Sequence, residues 1–187
     1  MKLRSESTLA EVADCLTDIG EAATLAQLQA NAYLVVFPWV DTGAFGYDTA
    51  RLFEGDESGE LSAHEVRETV KARAAVRESL SREEAFLLPV NAKHPATERL
   101  SLGRARDNDL VVNSSSVSKL HAWLIKGGTT GWALRDNGST NGTTHNDEPL
   151  APQAEVSLSF GDTLGIGGVE ALFCDARGVL ELVAQRF

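Results

Sequence analysis

The second half of the chain alternates short apolar stretches with turn-forming residues. From about residue 85 onward nearly all of these stretches are four to eight residues long, and glycine, asparagine and aspartate separate them. Examples are AFLLPVN, RLSLG, HAWLIKG, WALRD, EALFCD and VLELVAQ. Short strands with regular turn signals are typical of a β-sandwich. We therefore predict that residues 85–187 form one antiparallel β-sandwich.

The first half of the chain has a helical pattern instead. Apolar residues recur at near-helical spacing between Thr8 and Ala30, and Gly20 is expected to divide this run into two helices. A further helix is predicted from LSAHEV, where Ser62 and Glu65 have capping-box spacing. Between these regions, AYLVVFPWV is rich in β-branched and aromatic residues and predicts one buried strand.

This change of pattern predicts a boundary near residues 80–85. Residues 1–84 would form an acidic, mostly α-helical N-terminal extension or small domain, and residues 85–187 would form the sandwich. The formal net charge is −10, and the first part carries 16 acidic against 8 basic residues. Because no basic face is indicated, we do not expect the chain to bind nucleic acid.

The sequence indicates neither membrane insertion nor secretion. The longest apolar run is about half the length of a membrane-spanning helix, and the N-terminus lacks a secretion signal. We therefore expect a cytoplasmic protein.

Cys15 and Cys174 lie far apart without metal-ligand spacing, so both are predicted to be small core residues rather than a disulfide. No metal or cofactor is expected.

Three polar segments stand between the predicted strands. They are LGRARDND, SSSVSKLHAWL and DNGSTNGT. If the three segments share one end of the sandwich, they offer a guanidinium, an ammonium, several hydroxyls and an amide. Such groups suit a phosphorylated side chain, because arginine binds phosphate through two parallel hydrogen bonds and hydroxyls bind its remaining oxygens.

These segments also carry a resemblance to a known family. LGRARDNDLVV, SVSKLHAWL, LRDNGSTNGT and the later LSFGDTLGIGGVEALF follow one another in the order and spacing of the forkhead-associated (FHA) domain. The resemblance covers roughly residues 85–187. It implies an antiparallel β-sandwich of about eleven strands that binds phosphothreonine in an extended segment of a partner protein.

The resemblance also implies the residues of the site. Four residues would bind the phosphate: Arg104, Ser118, Lys119 and Thr140. Asn141 would hydrogen-bond the backbone of the bound peptide. Three residues would shape the site: Gly103, His121 and Gly142. Within DNGSTNGT, Asp136 and Gly138 would shape the loop and Ser139 would bond locally, which leaves Thr140 and Asn141 facing outward.

Several of these residues also have a structural interpretation. Arg104 would be a surface arginine paired with Asp107 or Asp109, Ser118 and Thr140 would be turn residues, and Asn141 before Gly142 would form a hairpin turn. Ser118, His121 and Asp136 have the residue types of a hydrolytic triad. No Gly-x-Ser-x-Gly elbow accompanies them, so we expect a structural histidine and no enzyme.

One segment of the first half resembles a calcium site. EGDESGELSAHE, residues 54–65, has the cadence of an EF-hand loop. Glu54 replaces the usual aspartate at the first position, and a capping box already accounts for Ser62 and Glu65. We predict a solvated acidic loop before a helix rather than a calcium site.

We therefore predict a phosphothreonine-dependent binding module in Ser/Thr kinase signalling, whose partner is a phosphorylated kinase or kinase substrate. The alternative is a phospho-independent assembly module that works through the N-terminal helices. Residues 1–84 would be a packed helical extension, a docking domain, or the carrier of a phosphothreonine that this chain binds itself, with Thr8 best placed. The sequence does not identify the partner, the residues that the partner carries after its phosphothreonine, or the oligomeric state.

Overall fold

Two sheets are packed face to face in the structure, a computed structural model that describes residues 3, 7–37, 85–93, 98–127 and 131–185. Eleven strands are found in these residues. They are β1 (Tyr33–Val36), β2 (Phe86–Pro89), β3 (Arg99–Gly103), β4 (Leu110–Val111), β5 (Ala122–Lys126), β6 (Trp132–Asp136), β7 (Thr143–His145), β8 (Glu148–Pro149), β9 (Glu155–Leu158), β10 (Thr163–Ile166) and β11 (Val169–Cys174). Three helices accompany them within the same residues: α1 (Leu9–Ile19), α2 (Glu21–Gln27) and α3 (Ala176–Ala184).

The two sheets enclose the main apolar core. The order of the larger is β2-β1-β11-β10-β7-β8, and that of the smaller is β4-β3-β5-β6-β9. Leu100, Leu124 and Leu134 from the smaller sheet and Leu34 and Phe173 from the larger are fully buried between them. The predicted sandwich is confirmed. It departs from a purely antiparallel arrangement in the β3–β4 pair, which is parallel.

The predicted division of the first helical run at Gly20 is confirmed. Gly20 has φ +79° and separates α1 from α2. Thr8 caps α1, because its hydroxyl accepts the Glu11 N–H at 3.2 Å while the Glu11 carboxylate accepts the Thr8 N–H at 3.1 Å. Thr8 also bridges Phe86 of β2. The hydroxyl and backbone of Thr8 are engaged in this structure, and Thr8 as a phosphothreonine that this chain binds stays a hypothesis.

The strand predicted in AYLVVFPWV lies inside the larger sheet. β1 pairs with β2 on one side and with β11 on the other, and all four of its residues are buried. The boundary predicted near residues 80–85 thus falls between two strands that pair with each other. The helix predicted from Ser62 and the acidic segment 54–65 lie outside the described residues.

The C-terminal stretch VLELVAQ was predicted as strand-like, and this was wrong. It belongs to α3, which begins after Asp175, whose carboxylate accepts the Gly178 N–H at 2.8 Å. Val179, Leu180 and Val183 repeat at helical spacing and join a second apolar cluster with α1 and β1. Packing against α1 therefore explains why the helix forms.

Both cysteines are buried, as predicted. Burial raises the pKa of the Cys174 thiol to about 12, so this thiol stays protonated at neutral pH. Among the described helices, none has the length and apolar character needed to cross a membrane.

Candidate functional site

The three polar segments meet at one end of the sandwich, as predicted. We call them the first loop (residues 104–109, between β3 and β4), the second loop (residues 112–121, between β4 and β5) and the third loop (residues 137–142, between β6 and β7). The Arg104 N–H donates to the Ser118 carbonyl at 3.0 Å, which joins the first loop to the second. The Thr140 N–H donates to Ser118 Oγ at 3.1 Å, which joins the third loop to the second.

Gly103 allows the first and second loops to approach closely. A Cβ at this position would lie 2.3 Å from the Lys119 carbonyl oxygen and 2.9 Å from that of Ser118. Because both are backbone atoms, no side-chain rotation would relieve the overlap. The missing Cβ therefore permits the hydrogen bonds that place Arg104 beside Ser118.

Arg104 and Lys119 bring two exposed cations to this end of the sandwich. Within the described residues, neither side chain makes a hydrogen bond or an ion pair. The Asp109 carboxylate, one of the two partners considered for Arg104, accepts instead from the Lys93 N–H at 2.8 Å and from the Ser101 N–H and hydroxyl at 2.8 and 2.9 Å. The structure therefore does not support an Arg104–Asp109 surface pair.

Ser118 and Thr140 form an exposed hydroxyl pair between the second and third loops. Ser118 Oγ donates to Thr140 Oγ1 at 3.3 Å and accepts the Thr140 N–H. The long hydroxyl–hydroxyl distance indicates a weak bond that a stronger acceptor such as a phosphate oxygen would displace.

His121 connects the second and third loops from inside the protein, where it is fully buried. Its Nδ1 accepts the Ser118 N–H at 3.1 Å, so the ring proton lies on Nε2, which donates to the Gly142 carbonyl at 3.1 Å. Burial lowers the pKa of His121 below its ordinary value of 6.5, although the Gly142 hydrogen bond and the nearby Asp136 charge oppose this. The neutral ring is therefore the form that ties the loops together.

This pKa direction predicts that acid destabilises the protein. The unfolded chain takes up the His121 proton as the pH falls below about 6.5, while the folded chain resists it, so stability is full above this pH and declines below it. Denaturant unfolding between pH 7 and 5 should show a slope of at most about 1.4 kcal/mol per pH unit from this group. His121→Asn should be less stable but lack the slope. A flat profile for the unmodified protein would contradict the assignment.

Asp136 organises the third loop and accounts for its unusual polarity. One carboxylate oxygen accepts the Gly138 and Ser139 N–H groups at 2.6 and 3.0 Å, and the other accepts the Ser139 and Thr143 hydroxyls, both at 2.6 Å. Burial alone would raise the pKa of Asp136, but these hydrogen bonds hold it below its ordinary value. As expected, Ser139 bonds locally, which leaves Thr140 exposed.

Asn141 and Gly142 complete the third loop. Asn141 is exposed, and its Nδ2 donates to the Ser116 carbonyl at 2.8 Å. Gly142 has φ +74°, a conformation that glycine adopts without strain, and its carbonyl accepts both the His121 ring and the Gly167 N–H at 3.1 Å. The side-chain amide is therefore held against the second loop, and its Oδ1 accepts no hydrogen bond from the described residues.

Sequence reasoning assigned no role to Asn108, which the structure places inside the site. Asn108 is 4% exposed, and its Nδ2 donates to the Ala105 and Lys119 carbonyls at 2.8 and 2.6 Å. The only signal in the sequence was its position within the polar segment LGRARDND. Ser116, which holds Asn141, was likewise given no role.

This arrangement suits binding of an anion rather than nucleophilic catalysis. The His121 ring accepts the backbone N–H of Ser118 and not its hydroxyl, and the carboxylate of Asp136 is occupied by four other donors. A Ser–His–Asp relay needs hydrogen bonds between those side chains, which are not present. In the described part of the chain, no group of three or more His, Cys, Asp and Glu is placed to hold a metal ion.

Comparison with known proteins identifies the FHA domain, whose family model matches residues 100–167. An FHA domain-containing protein of Arabidopsis thaliana, At4g14490, is 32% identical over 69 residues, 36% of this chain and 18% of that protein. The ABC transporter ATP-binding/permease protein Rv1747 of Mycobacterium tuberculosis is 40% identical over 76 residues, 40% of this chain and 8% of that protein. This chain therefore spans less than a fifth of the length of these curated relatives.

Solved structures that this chain is similar to include the FHA-2 domain of Rv1747 from Mycobacterium tuberculosis and an FHA domain from Arabidopsis thaliana. The first is 32% identical, covers 46% of this chain and 76% of that chain, and has a TM-score of 0.38. The second is 26% identical, covers 51% and 77%, and has a TM-score of 0.42.

Proposed function

We propose that this chain, in which residues 100–167 are an FHA domain, binds phosphothreonine in an extended segment of a partner protein. The observation that carries the proposal is that hydrogen bonds join the three loops that carry Arg104, Lys119, Ser118 and Thr140, while the two cations lack partners in the described structure. These bonds join the loop backbones, and with them the Ser118 and Thr140 hydroxyls, before any ligand arrives.

The chemistry of the four side chains matches a phosphate dianion. A phosphothreonine carries about −1.5 to −2 charges at neutral pH and three acceptor oxygens. Arg104 supplies a planar fork for two of those oxygens, and Lys119 supplies a mobile ammonium for the remaining charge. The weak hydrogen bond between the Ser118 and Thr140 hydroxyls breaks, and each hydroxyl donates to a phosphate oxygen instead.

Asn141 holds the peptide backbone in this proposal. Its Nδ2 is bonded to Ser116, which fixes the amide plane and leaves Oδ1 to accept a backbone N–H of the bound segment. Gly103, His121 and Gly142 do not touch the peptide. They fix the loops through the close backbone approach at Lys119 and the ring that joins Ser118 to Gly142.

The proposed role is recognition without catalysis, in the cytoplasm, within Ser/Thr kinase signalling. The partner is a phosphorylated protein, and the acidic charge of the chain disfavours nucleic acid. We also propose that the chain divides into an N-terminal helical part up to residue 84 and a sandwich from residue 85. Strand β1 of the N-terminal part nevertheless belongs to the larger sheet of the sandwich.

The test is binding to degenerate peptide libraries. Fluorescence polarisation would compare a phosphothreonine library with its unphosphorylated counterpart and with a phosphotyrosine library. We expect binding to the phosphothreonine library only, and the residues enriched after the phosphothreonine would then narrow the partner. Equal binding to phosphorylated and unphosphorylated peptides would contradict the proposal and favour the phospho-independent assembly module.

A further inference from the structure

Asn108 joins the first loop to the second from beneath the phosphate site. Its side chain is 4% exposed, and the two protons of Nδ2 go to the Ala105 carbonyl at 2.8 Å and the Lys119 carbonyl at 2.6 Å. A primary amide suits this position because one nitrogen donates to two acceptors on different loops. With both protons used, the buried nitrogen is fully satisfied.

These bonds act on the residues that place the two cations. The Lys119 carbonyl accepts from Asn108 Nδ2 and from the Ala105 N–H at 3.2 Å, so its backbone is held by two donors of the first loop. Arg104 directly precedes Ala105, and its own N–H donates to Ser118. The side chain of Asn108 therefore sets the backbone separation from which the guanidinium of Arg104 and the ammonium of Lys119 extend.

The other side of the first loop is held as well. The Lys93 ammonium donates to the carbonyls of Arg106, at 3.0 Å, and Asn108. The Asp109 carboxylate accepts the Lys93 N–H at 2.8 Å. These bonds fix the backbone of the first loop at Asn108, so the hydrogen bond from the Asn108 side chain to the Lys119 carbonyl fixes the second loop relative to the first.

We propose that Asn108 is a positioning residue for phosphate binding, which sets Lys119 relative to Arg104 so that both cations meet one phosphate. This rests on the proposed function. Preorganised groups bind more tightly because the ligand does not have to order them. Without the Asn108 side chain, the Lys119 carbonyl keeps only the Ala105 N–H as a donor from the first loop. Part of the free energy that the Lys119 ammonium gains from the phosphate is then offset by the cost of ordering the loop.

A double-mutant cycle with Lys119 tests the proposal. A phosphothreonine peptide selected from the library would be titrated against the unmodified protein, Asn108→Ala, Lys119→Ala and the double variant. We expect Asn108→Ala to weaken binding about tenfold in the unmodified background and less than about twofold in the Lys119→Ala background. The same fold loss in both backgrounds would overturn the proposal and leave the proposed function standing. Failure of the unmodified protein to bind any phosphothreonine peptide would overturn both.

Asn137→Ala is the matched control. Asn137 is another partly buried asparagine, whose Oδ1 accepts the Trp123 ring N–H at 3.1 Å at the start of the third loop. Its loss should lower the melting temperature without coupling to Lys119. If Asn108→Ala does not fold, Asn108→Ser, which keeps one shorter donor, takes its place with an intermediate loss of affinity.

Amide hydrogen exchange gives a second readout that needs no ligand. The N–H groups of Arg104 and Ala105 donate across to the second loop, and we expect Asn108→Ala to speed their exchange while Asn137→Ala does not. Unchanged exchange at both amides in a folded Asn108→Ala variant would overturn the positioning role.

Discussion

Replacing Arg104 by alanine is expected to weaken phosphothreonine-peptide binding by about 30-fold to several thousand-fold. The bound phosphate would bury the Arg104 guanidinium; removing one partner of a buried hydrogen-bonded charge pair costs about 2–5 kcal/mol, and each 1.4 kcal/mol is about tenfold in affinity. Arg104 is exposed and makes no hydrogen bond or ion pair among the described residues, so its loss leaves the folded protein intact. The melting temperature should change little, and the affinity measured by fluorescence polarisation should fall.

Arg106→Ala is the matched control for Arg104→Ala. Arg106 is an exposed arginine two residues further along the same loop, and its replacement changes the net charge equally. It should weaken binding only through long-range charge, by about twofold, and this difference should shrink at high salt. Equal losses for the two variants would mean that the site senses net charge rather than a bound guanidinium.

Gly103→Ala is expected to reduce both stability and binding. The added Cβ would lie 2.3 Å from the Lys119 carbonyl oxygen, so the first and second loops must separate. Such overpacking costs about 1–3 kcal/mol of folding free energy. Separation also breaks the Arg104–Ser118 and Ala105–Lys119 backbone bonds, and with them the geometry of the two cations. Denaturant unfolding and peptide titration would measure the two effects.

Gly165→Ala is the control that separates the loss of stability in Gly103→Ala from its loss of peptide binding. A Cβ at Gly165 in β10 would lie 2.3 Å from Thr144 Oγ1, which is the end of a side chain that can rotate away. This variant should lose less stability and should keep its affinity for the peptide. A Gly103→Ala protein with unchanged affinity would show that the close approach of the loops does not shape the site.

The sandwich was predictable because its signals are local. Turn residues between short apolar stretches mark strands without knowledge of their partners. The sequence does not state which strands pair, so the place of β1 between β2 and β11, across the predicted boundary, was not foreseen. The helix α3 was missed for a similar reason. Its apolar residues become a helical face only when α1 lies against them, and the cap at Asp175 was not considered.

The part of the site that lies within recognisable loop motifs was predictable from the sequence. The loop signals and the family resemblance together indicated that Arg104, Ser118 and Thr140 would meet, and the hydrogen bonds among the loops bring their segments together. Whether these residues bind phosphate stays a prediction. Asn108 could not be assigned from the sequence, because its role depends on a contact with Lys119, 11 positions further along the chain. The engagement of Asp109 by Lys93 and Ser101 depends in the same way on the folded loop.

The most direct test of phosphothreonine recognition is an NMR titration of the isotope-labelled protein with a selected phosphothreonine peptide and its unphosphorylated twin. We predict that only the phosphorylated peptide shifts backbone amide signals, and that the largest shifts fall at Arg104, Ser118, Thr140 and Asn141. Signals from α1, α2 and α3 should stay in place. Shifts that are the same for both peptides, or that map to the helices rather than to the three loops, would contradict phosphothreonine recognition at this end of the sandwich.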